Sequence, residues 1–118
     1  MVQRRPTGLS IFDLLEKELG TVAYPNENPE GSTLGTTAAR LLIGNVNRIA
    51  FLIYNLSANV LFIAPNREVA TTRGIRIGPS QGVMFIWKED LSLPSSEWWG
   101  VMDAGAAQQL YILEMVTA

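Results

Sequence analysis

The stretch that decides the predicted fold is Arg48–Ile63, with the sequence RIAFLIYNLSANVLFI. β-branched, aromatic and other apolar residues fill both ends of this stretch, which is typical of strands. Between them, Asn55–Asn59 is rich in residues that favour turns. The pattern predicts two antiparallel strands joined by a tight hairpin corner.

Similar apolar runs continue on both sides of this hairpin, and turn residues separate them. Gly78–Gly82 and Asp103–Ala106 are the clearest turns. Seven short strands at such spacing indicate one all-β domain over 37–118, an antiparallel β-sandwich or barrel. The strands are expected at 38–43, 48–56, 59–64, 75–78, 82–89, 97–103 and 108–116.

Residues 1–36 are predicted to form an N-terminal arm with one short α-helix over Ile11–Leu19. Ser10 is placed to cap the helix and Gly20 to end it. So short a helix is marginal in isolation, so it must dock on its own β domain or on a neighbouring subunit. The apolar stripe available for docking consists of Phe12, Leu15 and Leu19.

An extended connector is predicted over 24–36, because this stretch contains two prolines, two glycines and few apolar residues. A connector of this kind lets the helix sit away from the β domain. We therefore expect a chain that begins at Leu34 to keep its β-rich fold.

Composition excludes several classes of function. The chain has no cysteine and no histidine, which removes Cys nucleophiles, Ser-His-Asp relays and zinc-thiolate sites. The formal net charge of −2 does not favour a nucleic-acid partner. No apolar run is long enough to cross a bilayer, and no signal peptide is visible, so a soluble protein is expected. We predict no enzyme activity, no metal and no organic cofactor.

The final strand predicts contact between subunits. Leu110, Ile112 and Glu114 share one of its faces, while Tyr111, Leu113 and Met115 share the other. Because both faces are largely apolar, the strand is expected to be buried either at the centre of its own sheet or at a contact between subunits. A homo-oligomer is therefore expected, with the second face at the interface.

Charged and aromatic residues in the β domain have specific expected places. Arg48 is expected to pair with Glu114 or Asp103 across a sheet. Trp98 and Trp99 are adjacent in a strand and must face opposite ways, so one is expected in the core and the other at the surface or an interface. Alternatively, the exposed one of the two, Trp98 or Trp99, forms a platform that stacks on a sugar.

The acidic residues around 91–96 form no recognisable site. Glu89, Asp90 and Glu97 lack the spacing of a glycosidase pair and the neighbouring oxygen ligands of a calcium site. They are interpreted as a solvated loop edge.

The order of these motifs resembles small virion proteins of tailed bacteriophages over about residues 40–116. In that family pattern, a strand starts with Asn-x-Asn-Arg and ends in Asn-x-Ser, and a Val-x-Ile strand follows it. Next come a Gly-Ile-x-Leu-x-Pro-Gly turn and a strand that contains Trp or Tyr, before a Leu-Glu ending. Here these motifs are Asn45–Ser57, Asn59–Ile63, Gly74–Gln81, Trp98–Met102 and Leu110–Glu114.

The resemblance implies a structural virion protein, most simply a capsid decoration or cementing protein that assembles in the host cytoplasm. It implies a homo-oligomer, such as a trimer, that binds the major capsid protein or other virion proteins. The alternative is a glycan-binding β-sandwich module of a phage tail or fibre that uses Trp98 or Trp99. The expected interface residues are Arg4, Arg5, Phe12, Leu15 and Leu19 of the arm, with Tyr111, Leu113 and Met115 of the last strand.

Overall fold

The computed structural model describes residues 23–117, and within them nine strands form two antiparallel sheets. The strands are β1 (Ala23–Glu27), β2 (Thr33–Leu34), β3 (Ala39–Leu42), β4 (Arg48–Asn55), β5 (Leu61–Ala64), β6 (Ile75–Ile77), β7 (Gly82–Ile86), β8 (Trp98–Met102) and β9 (Gln108–Thr117). The first sheet has the order β1-β9-β4-β7, with β2 also paired to β9, and the second has the order β3-β8-β5-β6.

The prediction of an all-β sandwich is confirmed. Each of the seven strands expected after residue 37 is present, with ends shifted by a few residues. The largest shift is in β7, which was expected to run to residue 89 but ends at Ile86. A four-residue helix, α1 (Trp87–Asp90), and a 3-10 turn at Leu93–Ser95 follow it.

The connector expected over 24–36 is instead part of the first sheet. β1 pairs with β9 from Ala23 opposite Thr117 to Glu27 opposite Leu113, and β2 pairs with β9 farther along. Its composition misled the prediction because β1 is an exposed edge strand, where polar residues and a proline are tolerated. Leu34 is 2% exposed and belongs to the core.

The corner at Asn55–Asn59 was predicted to be a hairpin, and this was wrong. β4 lies in the first sheet and β5 in the second, so the corner carries the chain from one sheet to the other. The buried Asn55 side chain holds it: Nδ2 donates to the carbonyls of Asn59 and Ile77, and Oδ1 accepts from the backbone and hydroxyl of Ser57. Such side-chain bonds replace the backbone ladder that a hairpin would supply.

The core fills the space between the two sheets. Trp98 lies at its centre, with its ring 5.0 Å from that of Phe85 and 5.4 Å from that of Phe51. Alternate residues of each central strand point into this layer, as the period of two requires. The other buried apolar residues of the core are Leu34, Leu41, Leu42, Ile53, Leu61, Ile63, Ile77, Met102, Leu110 and Ile112.

Candidate functional site

A buried ion pair lies at one end of the sandwich. Arg48, at the start of β4, places its Nε 2.6 Å from Oε1 of Glu114 on β9, and the two side chains are 0% and 5% exposed. The second carboxylate oxygen accepts from Asn26 Nδ2 at 2.8 Å. The expected pairing of Arg48 with Glu114 is therefore confirmed, and it joins β1, β9 and β4.

The remaining donors of Arg48 tie two loops together. Nη2 donates to the carbonyl of Ile43 at 2.6 Å, while Nη1 donates to the carbonyls of Pro94 and Ser96. A backbone bond from Asn45 to the Ser95 carbonyl adds a direct link between the loops. Because the guanidinium is buried and makes several bonds, it fixes both loops relative to the sheet.

We call these two loops, residues 43–47 and 87–96, the loop end. They are unusually apolar for exposed loops, since large apolar residues on a surface normally occur singly. Val46 is 91% exposed and Leu91 is 81% exposed. Five large apolar side chains are exposed there, namely Ile43, Val46, Trp87, Leu91 and Leu93.

Leu91 has a backbone conformation that bulky residues avoid. Its φ is 57°, in the left-handed region, and its side chain does not pack in the core. Its N–H bonds to the carbonyl of Trp87, and Asp90 caps the end of β7 by accepting from the Ile86 N–H. A conformation of this kind persists only where the surrounding structure determines it, so the position of Leu91 is fixed by these bonds.

A second apolar surface lies on the solvent side of the first sheet, and we call it the outer face. Its centre is a shallow hollow lined by side chains of β4, β7 and β9, of which Met84 is 60% exposed. Register places Leu52 directly between Met84 and Leu113, so these three side chains form one row across the sheet. The outer face comprises Ala50, Leu52, Met84, Leu113 and Met115.

The expected interface residues of β9 lie on or beside the outer face. Leu113 and Met115 are partly exposed within it, and Tyr111 follows at its edge. The Tyr111 hydroxyl donates to a carboxylate oxygen of Glu27 on β1. This hydrogen bond, followed by desolvation and by the negative charge of Glu27, raises the pKa of Tyr111 above its ordinary value.

The two adjacent tryptophans face opposite sides of β8, as their spacing required. Trp98 is 1% exposed and its Nε1 donates to the Leu93 carbonyl, so it cannot serve as a ligand platform. Trp99 is partly buried against a small cluster outside the second sheet, which includes Val69. Its Nε1 donates to Glu97 at 3.0 Å, which occupies the polar edge of the indole.

The arm residues of the expected interface, Arg4, Arg5, Phe12, Leu15 and Leu19, lie outside the described residues, as does the predicted helix. Within residues 23–117, no group of three or more acidic side chains is placed to hold a metal ion. No helix in that part of the chain is both long and apolar enough to cross a membrane.

The protein is a two-sheet β-sandwich in which the hydrogen bonds of Arg48 join the two apolar loops of the loop end. Comparison adds no relative: no family model matches the chain, and no curated protein or solved structure matches it either.

Sequence reasoning did not find the loop end. Trp87 was assigned to a strand, and the acidic residues on either side of 91–96 were interpreted as a solvated loop edge because their spacing fits no known site. Leu91 and Leu93 around Ser92 were a usable signal, since two leucines in a turn-rich loop of this length are unusual. Only the structure links them to Val46, which lies in a different loop.

Proposed function

We propose that this chain is a structural protein of a phage virion, a capsid decoration or cementing protein of which many copies attach to the assembled shell. The observation that supports the proposal is the loop end, which exposes five large apolar side chains on two loops joined by a buried arginine. A contact that must be repeated many times on a lattice benefits from loops that are ordered before binding, because less conformational entropy is lost.

In this proposal, the loop end is the part that contacts the major capsid protein or another virion protein. Val46 and Leu91 are the leading contacts because they are the most exposed apolar residues there. Apolar anchors on rigid loops are the usual source of binding energy in protein interfaces. The sandwich behind them supplies stiffness.

The glycan-binding alternative has weaker support. Trp98 is buried in the core, and Trp99 packs against the cluster that contains Val69 while its N–H bonds to Glu97. A sugar platform needs a free aromatic face with polar groups that can reach the ligand. Trp99 offers only part of a face.

The test is co-sedimentation of purified protein with virus particles from its natural source. Val46→Glu should weaken binding strongly, because it buries a charge in an apolar contact. Leu56→Glu is the matched control: Leu56 is 54% exposed but lies at the inter-sheet corner, so binding should be unchanged.

Two outcomes would overturn the proposal. One is normal particle binding by Val46→Glu. The other is a protein that does not bind particles but binds sugars in a way that Trp99→Ala abolishes, which would establish the glycan module instead.

A further inference from the structure

The outer face is open to solvent in the part of the chain that the structure describes. Ala50 stands between Ile86 and Met115, and Leu52 stands between Met84 and Leu113, so two apolar rows cross three strands. A third row, Gly82–Tyr54–Tyr111, closes the far side. An apolar sheet face of this kind normally packs against another layer.

We infer that residues 11–19 of the same chain form a helix that covers the outer face and runs antiparallel to β1. Phe12, Leu15 and Leu19 then pack into the rows, and the acidic and basic residues between them face solvent. The cover is a segment of this chain that precedes the described residues, and three features of the structure identify it.

The first feature is size. The three rows contain nine residues, five of which form the outer face, and this is far fewer than the roughly 20–30 residues per partner that a stable protein interface uses. A single short helix fits better: nine residues of helix are about 14 Å long, and Tyr111 to Met115 spans about 14 Å of strand. The helix diameter of about 10 Å also matches the width from β9 to β7.

The second feature is the point at which the segment joins the sheet. Val22 precedes Ala23, which opens β1 and pairs with Thr117, two residues past Met115 on β9. β1 is the strand next to β9 in the sheet order, so the segment begins one strand away from the outer face. Once the segment has crossed β1, the helix lies above β9, β4 and the near side of β7.

The third feature is the length of the connector. Gly20–Val22 separates the predicted helix from β1, and a three-residue connection is common between a helix and a strand. The four steps from Leu19 to Ala23 reach at most about 14 Å, enough to climb one layer of about 10 Å. Gly20 suits the reversal, because a glycine commonly ends a helix there.

The short connector also favours the segment's own sheet over that of a neighbour. A tethered segment meets its own face at an effective concentration near the millimolar range, well above the concentration of other copies in dilute solution. Docking of the helix on a neighbouring subunit, which the sequence left open, therefore has to overcome this advantage. The inference concerns the free protein and does not rest on the proposed attachment to a shell.

Disulfide trapping tests the inference directly, because the chain has no native cysteine. The full-length double variant Leu15→Cys/Met84→Cys should form a disulfide within one chain under mild oxidation, seen as a monomer of altered mobility that reverts on reduction. Leu15→Cys/Ile75→Cys is the matched control: Ile75 is 41% exposed but belongs to the second sheet, so no such disulfide should form.

Three outcomes would overturn the inference. A mixture of the single variants Leu15→Cys and Met84→Cys that gives efficient disulfide-linked dimers would place the helix on a neighbour. Efficient trapping with Val46→Cys in place of Met84→Cys would place it on the loop end. Absence of trapping in all pairs would mean that the segment covers neither surface.

Methionine oxidation gives a second measurement that needs no cysteine. With the helix in place, Met84 should oxidise roughly tenfold more slowly in the full chain than in the variant Leu15→Asp, while Met102, 1% exposed, stays protected in both. Equal rates at Met84 would contradict the cover.

Discussion

Replacement of Arg48 by methionine should cost more stability than any replacement of an exposed charge in this protein. Among residues 23–117, Glu114, which is 4% exposed, would keep Asn26 as its one polar side-chain partner, and the carbonyls of Ile43, Pro94 and Ser96 would lose their donor. Removing one member of a buried ion pair costs about 3–5 kcal/mol, because the other charge stays buried. At about 4 °C per kcal/mol for a chain of this size, the melting temperature should fall by about 12–20 °C.

The assay is urea unfolding followed by circular dichroism, with thermal melts alongside. Arg73→Met is the matched control: Arg73 pairs with Glu68 at 2.9 Å, but the two side chains are 57% and 70% exposed. An exposed pair contributes only about 0–1 kcal/mol, so this variant should melt close to the parent protein. Hydrogen exchange at the Asn45 N–H, which bonds to Ser95, should accelerate in Arg48→Met well before global unfolding.

A double-variant cycle separates the ion pair from the carbonyl bonds. Removing both charges with Arg48→Met/Glu114→Leu should recover part of the loss, with a coupling energy of about 1–3 kcal/mol, because no unpaired charge is left inside. A loss below about 1 kcal/mol in Arg48→Met, or an equal loss in Arg73→Met, would refute the view that this arginine holds the loop end together.

Three further predictions concern other parts of the sandwich. Glu27→Gln should lower the pKa of Tyr111 toward its ordinary value, which an NMR titration of the phenol would show, and an unchanged titration would count against the contact. Because the pKa is raised in the folded state, the contact stabilises the fold below about pH 10, and this stabilisation is lost as the pH rises through the folded pKa. Asn55→Ala should lower the free energy of unfolding in urea by about 2–3 kcal/mol, because the carbonyls of Asn59 and Ile77 lose their donor. Asn66→Ala at an exposed turn should lower it by less than about 1 kcal/mol, and similar losses in the two variants would contradict the role given to the corner. A chain that begins at Leu34 lacks β1 and should lose its cooperative unfolding transition, which reverses the expectation from sequence; a normal melt would show that β1 is dispensable.

The sequence allowed the strands and their faces to be predicted, but not which strands pair. Alternation along β4 and β9 identifies their inward residues, because successive side chains point to opposite faces in any sheet. The same alternation is compatible with a hairpin or with a corner between sheets. What decides between them is Asn55, whose side chain bonds to Ile77, 22 residues away, and no local pattern reports that contact.

Edge strands were hidden for a related reason. β1 has one buried residue and four exposed ones, so its sequence AYPNE has the composition of a linker. Its strand conformation depends on pairing with β9 rather than on burial of its own side chains, and Pro25 is compatible with such an edge. Pattern reasoning therefore fails where pairing rather than burial determines the structure.

The pairing of Arg48 with Glu114 was predictable although 66 residues separate them. A charged residue at the end of an apolar strand must find an opposite charge or hydrogen-bond partners if it is buried, and few candidates existed. The loop end, by contrast, was not predictable from the sequence. Nothing in the physics of an isolated loop requires Val46 or Leu91 to be exposed. Arg48 fixes the two loops that carry them through backbone carbonyls, and every residue has a carbonyl, so the sequence does not report these bonds. The partners of a buried side chain with several donors thus show which loops of a sandwich are ordered before binding. In this protein those loops are apolar.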